Sequence, residues 1–222
     1  MTSLFVTATG TEIGKTHVTT LLCRQLRAAG YSVRALKPVI SGFDPADCAV
    51  SDSALILQAL ETPVNDASID AISPWRFFAP LSPDMAAARE NRSIDFAALT
   101  EFCRPGGEDV HLIEGVGGAM VPLTDTKTVA DWIVALDVKT LVVAGSYLGT
   151  ISHTLTTVAA MQGKGIQVSA IIVSESETGP VPLAETVASI ARFLPEIPVI
   201  PLARDAMSLP GLSLLFPEHE VG

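Results

Sequence analysis

The segment ATGTEIGKT, residues 8–16, most restricts how this chain can fold. A short apolar run with β-strand character, residues 4–7, precedes it, and a helix-like pattern over residues 15–29 follows it. A strand, a glycine-containing loop and a helix in this order favour a phosphate-binding loop, although Thr9 stands where the usual pattern has glycine. In such a loop Lys15 reaches the outer phosphates and the Thr16 hydroxyl ligates Mg²⁺. An ordinary strand-to-helix turn is the alternative.

The rest of the chain alternates short β-branched apolar runs with helical patterns. The predicted strands are residues 4–7, 33–39, 110–113, 140–144, 168–173 and 199–200. The predicted helices are residues 15–29, 52–60, 83–91, 96–103, 129–136, 152–162 and 183–193. Apolar strands separated by helices indicate an α/β, P-loop NTPase-like fold, with a mostly parallel sheet covered by helices on both faces. Ligands of such sheets bind at the carboxyl ends of the strands.

Composition bounds the number of domains and the classes of partner. The 222 residues, 48% of them hydrophobic, suffice for a single domain over residues 1–222, with a Pro/Gly-rich mobile tail expected at 209–222. A net charge of −10 without basic clusters argues against nucleic acid or an anionic membrane as partner. No apolar run approaches the roughly 20 residues of a membrane span. Three scattered cysteines suit a reducing compartment, so we predict a cytoplasmic location.

Three charged residues lie at the ends of predicted strands or at the start of a predicted helix. Glu114 ends the apolar run HLIE, where a buried carboxylate is costly unless it serves a cation; the alternative is an exposed glutamate at a turn. Lys37 is either a second cation aimed at the phosphates or a lysine whose ammonium reaches solvent. Asp52 begins a predicted helix, where capping of the helix N-terminus explains an aspartate as well as a role in the binding site does.

Six segments together resemble the dethiobiotin synthetase family. In chain order they are ATGTEIGKT, KPVISG, SDS, FFAPLSPDMAA, EGVGGAMVPLTDTKTVADW and SYLGTISHTLTT, and the resemblance as a whole runs over residues 4 to about 202. The EGxGG…PL[ST]D…ADW block is specific to the family, whereas GKT alone is not. The resemblance implies a homodimeric, cytosolic enzyme of biotin biosynthesis with its active site at the subunit interface. It would be an ATP-dependent, C–N bond-forming cyclo-ligase that joins CO₂ to the diamine 7,8-diaminopelargonate, with Mg²⁺, to give a cyclic urea.

The resemblance also implies roles for individual residues. Lys15 and Lys37 would be catalytic, and Thr16, Asp52 and Glu114 would surround Mg²⁺. The nucleotide would contact Glu12, Ile13, Gly14, Lys15, Thr16, His17, Asp52, Glu114, Gly115, Val116, Gly117, Ser174, Pro201, Leu202 and Ala203. The diamine would contact Thr11, Lys37, Ser41, Gly117, Gly118, Gly149 and Thr150. The last two would come from the neighbouring subunit, at a helix N-terminus that binds the substrate carboxylate.

Three departures from the family pattern carry expectations of their own. Ala8 replaces a loop glycine, which affects the loop geometry, and Gly10 is an added glycine. Thr150 and Ser152 replace a cysteine and an asparagine at the substrate-binding helix start. Ser174 replaces an asparagine that faces adenine, and since one hydroxyl cannot pair with a base bidentately, we predict weak base selectivity.

Two other functional classes are compatible with a phosphate-binding loop. One is a non-catalytic nucleotide switch, but such relatives often carry an additional lysine early in the loop, and residues 7–13 contain none. The other is a glutamine-dependent amide-forming synthetase, which would need an amidotransferase module. The four histidines show no metal or triad spacing, and we interpret them as structural or solvated; they are His17, His111, His153 and His219.

Overall fold

The computed structural model of the protein describes residues 2–177 and 181–216. The elements, in chain order, are β1 (Thr2–Ala8), α1 (Lys15–Ala28), β2 (Val33–Leu36), β3 (Val39–Ser41), a 3₁₀ helix (Pro45–Val50), α2 (Asp52–Ala59), α3 (Asp66–Ile72), β4 (Trp75–Phe77), α4 (Pro83–Arg89), α5 (Phe96–Phe102), β5 (Val110–Glu114), α6 (Val129–Leu136), β6 (Lys139–Gly145), α7 (Thr150–Gly163), β7 (Val168–Ser174), α8 (Leu183–Phe193), β8 (Val199–Leu202) and α9 (Leu212–Leu215).

A six-stranded parallel sheet, in the order β2-β5-β1-β6-β7-β8, forms the centre of the molecule. Its inner strands β5 and β1 are buried along most of their length, because helices flank the sheet and leave neither face to water. Phe5 of β1 packs edge-on against Trp132 of α6, with ring centroids 4.9 Å apart. The sequence prediction of a P-loop NTPase-like α/β fold is therefore confirmed.

The strand predicted over residues 33–39 is interrupted at Lys37 and Pro38. β2 ends at Leu36, and the chain then leaves the central sheet, so that β3 pairs with β4 in a separate two-stranded parallel sheet. Proline has no amide hydrogen to donate to a sheet, which explains the break. As a result, Lys37 lies at the carboxyl edge of the central sheet, where ligands of such folds bind.

Several elements differ from the sequence prediction. The 3₁₀ helix, α3, β4 and α9 were not predicted, and α7 begins at Thr150 rather than at residue 152. Within the segment 209–216, Leu209, Leu215 and Phe216 are buried, whereas Pro210, Gly211, Ser213 and Leu214 are exposed. The Leu209 amide also donates to Gln25 Oε1 at 2.6 Å. Residues 217–222 of the predicted tail lie outside the described residues.

No helix in the part of the chain that the structure describes is both long and apolar enough to span a membrane.

Candidate functional site

The loop between β1 and α1 has the backbone geometry of a phosphate-binding loop. Gly14 precedes α1 with φ of 96°, a left-handed conformation that favours glycine, and a Cβ there would lie 2.8 Å from Ser174 Oγ. Within the described residues no side chain caps this end of α1, so its first N–H groups are open to a ligand. Lys15 Nζ folds back over the loop and donates to the Gly10 carbonyl at 3.2 Å.

Ala8, where the family has glycine, is the last residue of β1. It is fully buried in extended backbone, and its carbonyl accepts a hydrogen bond from the Ala119 amide at 3.0 Å. The left-handed positions of the loop are Glu12, with φ of 58°, and Gly14. Since residue 8 does not adopt a positive φ, a Cβ at this position does not distort the loop.

Below the loop, two carboxylates, a lysine and a hydroxyl form one polar cluster at the ends of β2 and β5 and the start of α2. Lys37 Nζ lies 2.6 Å from Glu114 Oε1 and 3.1 Å from Asp52 Oδ2. Thr16 Oγ1 lies 2.8 Å from Glu114 Oε1 and 2.9 Å from Asp52 Oδ1. Lys37 Nζ also donates to the Gly115 carbonyl at 3.0 Å. The cluster thus joins residues 16, 37, 52 and 114 from four separate parts of the sequence.

The geometry decides between the alternatives that the sequence left open. Glu114 is fully buried, so the interpretation as an exposed glutamate at a turn is wrong. Lys37 is only 3% exposed, so its ammonium does not reach solvent, and it contacts carboxylates rather than projecting freely toward the loop. Ser51, not Asp52, caps α2: its side chain accepts a hydrogen bond from the Ala54 amide, which leaves the Asp52 carboxylate available to the cluster.

The charges of the cluster shift one another's pKa values. The pKa of Lys15 is lowered to about 8, first because burial disfavours the ammonium and second because Lys37 repels it. Burial also opposes the charged forms of Lys37 and Asp52, yet their mutual attraction and the charge of Glu114 on Lys37 prevail. The pKa of Lys37 is therefore raised and that of Asp52 lowered. All three groups are charged near neutral pH.

The donor set suits Mg²⁺. Glu114 Oε2 is buried and, among the described residues, has no hydrogen-bond partner, so one carboxylate oxygen is left without the interaction that its burial requires. With Asp52 and the Thr16 hydroxyl it supplies the hard oxygen ligands that Mg²⁺ prefers. Within residues 2–177 and 181–216, no three His, Cys, Asp or Glu side chains are grouped around one point, so water and phosphate oxygens would complete the shell.

A cavity of about 430 Å³ opens above the cluster, between the phosphate loop and the segment that follows β3. The predicted site residues that line it are Thr11, Glu12, Ile13, Gly14, Lys15, Thr16, Lys37, Ser41, Asp52, Val116 and Gly117. Ile40, Phe43, Asp44, Asp47 and Val50 also line it and were not predicted. Ile40 lies in β3 and the other four follow it, and this position at the carboxyl edge of a parallel strand is the signal that could have indicated them.

The remaining predicted site residues lie around this cavity but are not part of its lining. Gly118 packs against the loop, where a Cβ would lie 3.3 Å from the Ala8 carbonyl oxygen. Glu114 and Gly115 lie at the base of the cavity through their contacts with Lys37. Ser174 ends β7 beside Gly14 and pairs in register with Leu202 of β8. Leu202 is buried, whereas the flanking residues are exposed; these are Pro201 and Ala203.

Besides Gly118, two further predicted substrate residues do not line this cavity. Gly149 and Thr150 lie at the start of α7, and the Thr150 hydroxyl donates to the Gly145 carbonyl at 2.8 Å, so it already has a partner within the chain. A contact between this helix start and the cavity of a second subunit stays a prediction.

The three histidines among the described residues do not line this cavity, and these include His17, which was predicted to contact the nucleotide. His111 is fully buried between the Cys103 carbonyl and Glu108, at 2.9 and 2.7 Å. His153 Nδ1 pairs with the Tyr147 hydroxyl at 2.8 Å. His17 follows Thr16 on α1, and burial lowers its pKa. His219 lies outside the described residues.

Comparison with known proteins assigns the family. A family profile described as an AAA domain matches residues 2–204. The ATP-dependent dethiobiotin synthetase BioD of Acidiphilium cryptum is 50% identical over 202 residues, which cover 89% of this chain and 91% of that protein. The enzymes of the same name from Methylobacterium nodulans and Caulobacter sp. are 48% and 47% identical over 86% and 90% of this chain, and 89% and 86% of their own lengths. The chain belongs to the dethiobiotin synthetase family. The family resemblance inferred from the sequence motifs is thereby confirmed.

Solved structures of P-loop NTPases share the fold of this dethiobiotin synthetase family member at low sequence identity. MinD in its complex with MinC, from Aquifex aeolicus, is 15% identical with a TM-score of 0.56, over 99% of this chain and 86% of that one. MinD with Mg-ADP from Pyrococcus horikoshii is 13% identical with a TM-score of 0.54, over 92% and 82%. These likenesses concern the fold alone.

Proposed function

We propose that this protein is an ATP-dependent dethiobiotin synthetase, which joins CO₂ to 7,8-diaminopelargonate and releases ADP and phosphate. The observation that carries the proposal is the convergence of Lys15, Thr16, Lys37, Asp52 and Glu114 on one cavity beside a phosphate-binding loop. This cavity offers the cationic groups and the proposed metal ligands that phosphoryl transfer needs. The chain is also 50% identical to an enzyme of this name.

The reaction has three steps. One amine of the substrate adds to CO₂ and loses a proton, which gives a carbamate. A carbamate oxygen then attacks the γ-phosphorus of ATP, and the bond from this phosphorus to the β,γ-bridging oxygen breaks. ADP is the leaving group, and the product is a carbamic–phosphoric anhydride. Finally the second amine attacks the carbamic carbon, a proton is lost, and phosphate departs as the cyclic urea forms.

Each step after CO₂ capture places negative charge near the cluster, and the chain's own groups stabilise it. Lys15 lies at the start of α1, where its ammonium and the open N–H groups of the helix neutralise the transferred phosphoryl group. The ion pairs with Glu114 and Asp52 keep Lys37 protonated. Its ammonium is the second positive charge that would stabilise the carbamate. Thr16, Asp52 and Glu114 would hold Mg²⁺, which neutralises phosphate charge when bound.

Phosphate release tests the proposal directly. With ATP and Mg²⁺ present, adding the diamine and bicarbonate together should raise phosphate release well above the rate with either one alone, and dethiobiotin should form in equal amount. A nucleotide switch would instead release phosphate at a rate that the diamine does not change. That second outcome would contradict the proposal.

We expect the protein to discriminate weakly between nucleotide bases. Ser174, beside Gly14 at the base end of the loop, offers one hydroxyl, and one neutral hydrogen bond contributes only about 0.5–1.5 kcal/mol. GTP and CTP should therefore support turnover within about tenfold to thirtyfold of ATP in kcat/KM, since tenfold corresponds to about 1.4 kcal/mol.

Steady-state kinetics with the three nucleotides measure this selectivity. Ser174→Asn should increase the preference for ATP, whereas Ser174→Ala should lower it by no more than about tenfold, the contribution of one hydrogen bond. A wild-type preference for ATP above roughly a thousandfold, about 4 kcal/mol, would show that other groups read the base. Backbone groups of residues 201–203 are the nearest such candidates.

We also propose that the enzyme works as a homodimer in which the start of α7 binds the substrate carboxylate of the neighbouring active site. Gly149 leaves this helix start without a side-chain cap among the described residues, which suits an anion, and the adjacent Leu148 is 78% exposed. Specific activity should therefore fall on dilution through the dimer dissociation constant. Full activity in a protein that light scattering finds monomeric would contradict the dimer. A single domain over 1–222 and a cytoplasmic location stay predictions.

A further inference from the structure

Two loops at the carboxyl edge of the sheet, the one after β6 and the one after β7, lie side by side next to the phosphate loop. The strands that precede these two loops, β6 and β7, both lie against the phosphate loop. The Thr9 amide donates to the Val143 carbonyl of β6 at 3.0 Å, and Ser174 at the end of β7 contacts Gly14. Ser176 lines a second cavity, of about 500 Å³, together with loop residues 9–13.

A reciprocal pair of hydrogen bonds joins these two loops. The Ser146 amide donates to Ser176 Oγ at 3.0 Å, and the Ser176 amide donates to Ser146 Oγ at 2.9 Å. Ser146 is only 2% exposed. Each hydroxyl thus accepts a hydrogen bond from the other residue's backbone N–H, and removing the Ser176 hydroxyl leaves the amide of the buried Ser146 without its acceptor, which is costly.

The backbone at Gly145 allows this close approach. A Cβ on Gly145 would lie 2.9 Å from Ser176 Oγ and 2.8 Å from the Tyr147 ring, closer than real side chains come. The two loops are therefore in contact through backbone and short side chains, and their separation is set by the serine pair rather than by a flexible side chain.

The serine pair lies close in sequence to Ser174, which is two residues before Ser176. Ser174 is paired on one side with Gly145 of β6 and on the other with Leu202 of β8, and its Oγ faces the Cα of Gly14. If the β7 loop moved away from the β6 loop, the gap between Ser174 and the phosphate loop would widen. Ser174, on one side of that gap, is the residue proposed above to face the nucleotide base.

We propose that Ser146 and Ser176 are positioning residues, which hold the end of β7 against the phosphate loop and so set the geometry that recognises the nucleotide base. The proposal rests on nucleotide binding at the loop, which belongs to the proposed function, but not on the diamine reaction. It assigns to this pair an effect on the nucleoside half of ATP and none on its phosphate half.

Equilibrium binding to the full chain separates the two halves. The probes are Mg-ADP, which has base and phosphates, and inorganic tripolyphosphate with Mg²⁺, which has phosphates only. Ser176→Ala and Ser146→Ala should each weaken ADP binding by about fivefold to tenfold, a loss no larger than the contribution of the one loop-to-loop hydrogen bond that each variant removes, and leave tripolyphosphate binding within about twofold. Ser176→Thr keeps the hydroxyl and should bind ADP like the wild type.

Ser169→Ala is the matched control, because Ser169 lies on the same strand, β7, and its buried hydroxyl has no hydrogen-bond partner among the described residues. It should change neither affinity. Equal losses for ADP and tripolyphosphate would overturn the proposal, as would unchanged ADP binding in both alanine variants. Since the assay contains no diamine, it can succeed even if dethiobiotin synthesis fails, and it can fail while synthesis is observed.

Discussion

Lys15→Ala should lower kcat by about a hundredfold or more while leaving the fold intact, because neutralising a transferring phosphoryl group contributes several kcal/mol. The lysine follows Gly14 at an uncapped helix start, and its amine reaches over the loop to the Gly10 carbonyl. Truncation removes the one ammonium that the loop itself provides. Steady-state phosphate release at saturating ATP, diamine and bicarbonate measures the loss.

Lys139→Ala is the matched control for charge. Lys139 is exposed at the beginning of β6, at the opposite edge of the sheet from the phosphate loop, so its removal should leave kcat unchanged. Circular dichroism of both variants tests whether the fold persists. A folded Lys15→Ala variant with near-wild-type turnover would show that the loop does not bind the phosphates as assigned.

Glu114→Gln should weaken Mg²⁺ binding by at least about tenfold to a hundredfold, the range known for loss of a group that merely supports a metal ligand. Glu114 is fully buried at the end of β5 and has one oxygen without a partner, whereas the Asp52 side chain is 41% exposed. The neutral amide removes charge from the metal ligands and also from the surroundings of Lys37. The effect should therefore exceed that of Asp52→Asn.

Two measurements report this loss of Mg²⁺ binding. A Mg²⁺ titration of phosphate release should shift to higher concentration in the variant, and the thermal stabilisation by Mg-ADP over ADP alone should shrink. Glu101→Gln is the control, because Glu101 is an exposed residue of α5 that pairs with Arg104 away from the cavity. A Mg²⁺ titration that coincides with the wild type would remove Glu114 from the proposed ligands.

The phosphate loop and the α/β class were predictable because their causes are local in sequence. Glycine at position 14 is required by a positive φ, Lys15 and Thr16 follow it at a helix start, and apolar strands alternating with helices allow few arrangements other than a covered parallel sheet. The family motifs are likewise continuous stretches of residues. The fold class and the family, which depend on such local patterns, were therefore predicted from the sequence, whereas short elements such as α3 and β4 were not.

The partners of the charged residues were decided by the tertiary structure. Lys37, Asp52 and Glu114 each had two interpretations in the sequence, because the cost of burying a charge depends on what surrounds it. Only the register of β2 beside β5 brings Lys37 to Glu114, 77 residues later in the chain, and only the Ser51 cap leaves the Asp52 carboxylate free to join them. The same holds for Ser146 and Ser176, whose pairing is set by the contact of two loops. Sequence patterns describe which residues can be buried or helical, but such long-range contacts form only when the packed sheet places the strand ends together.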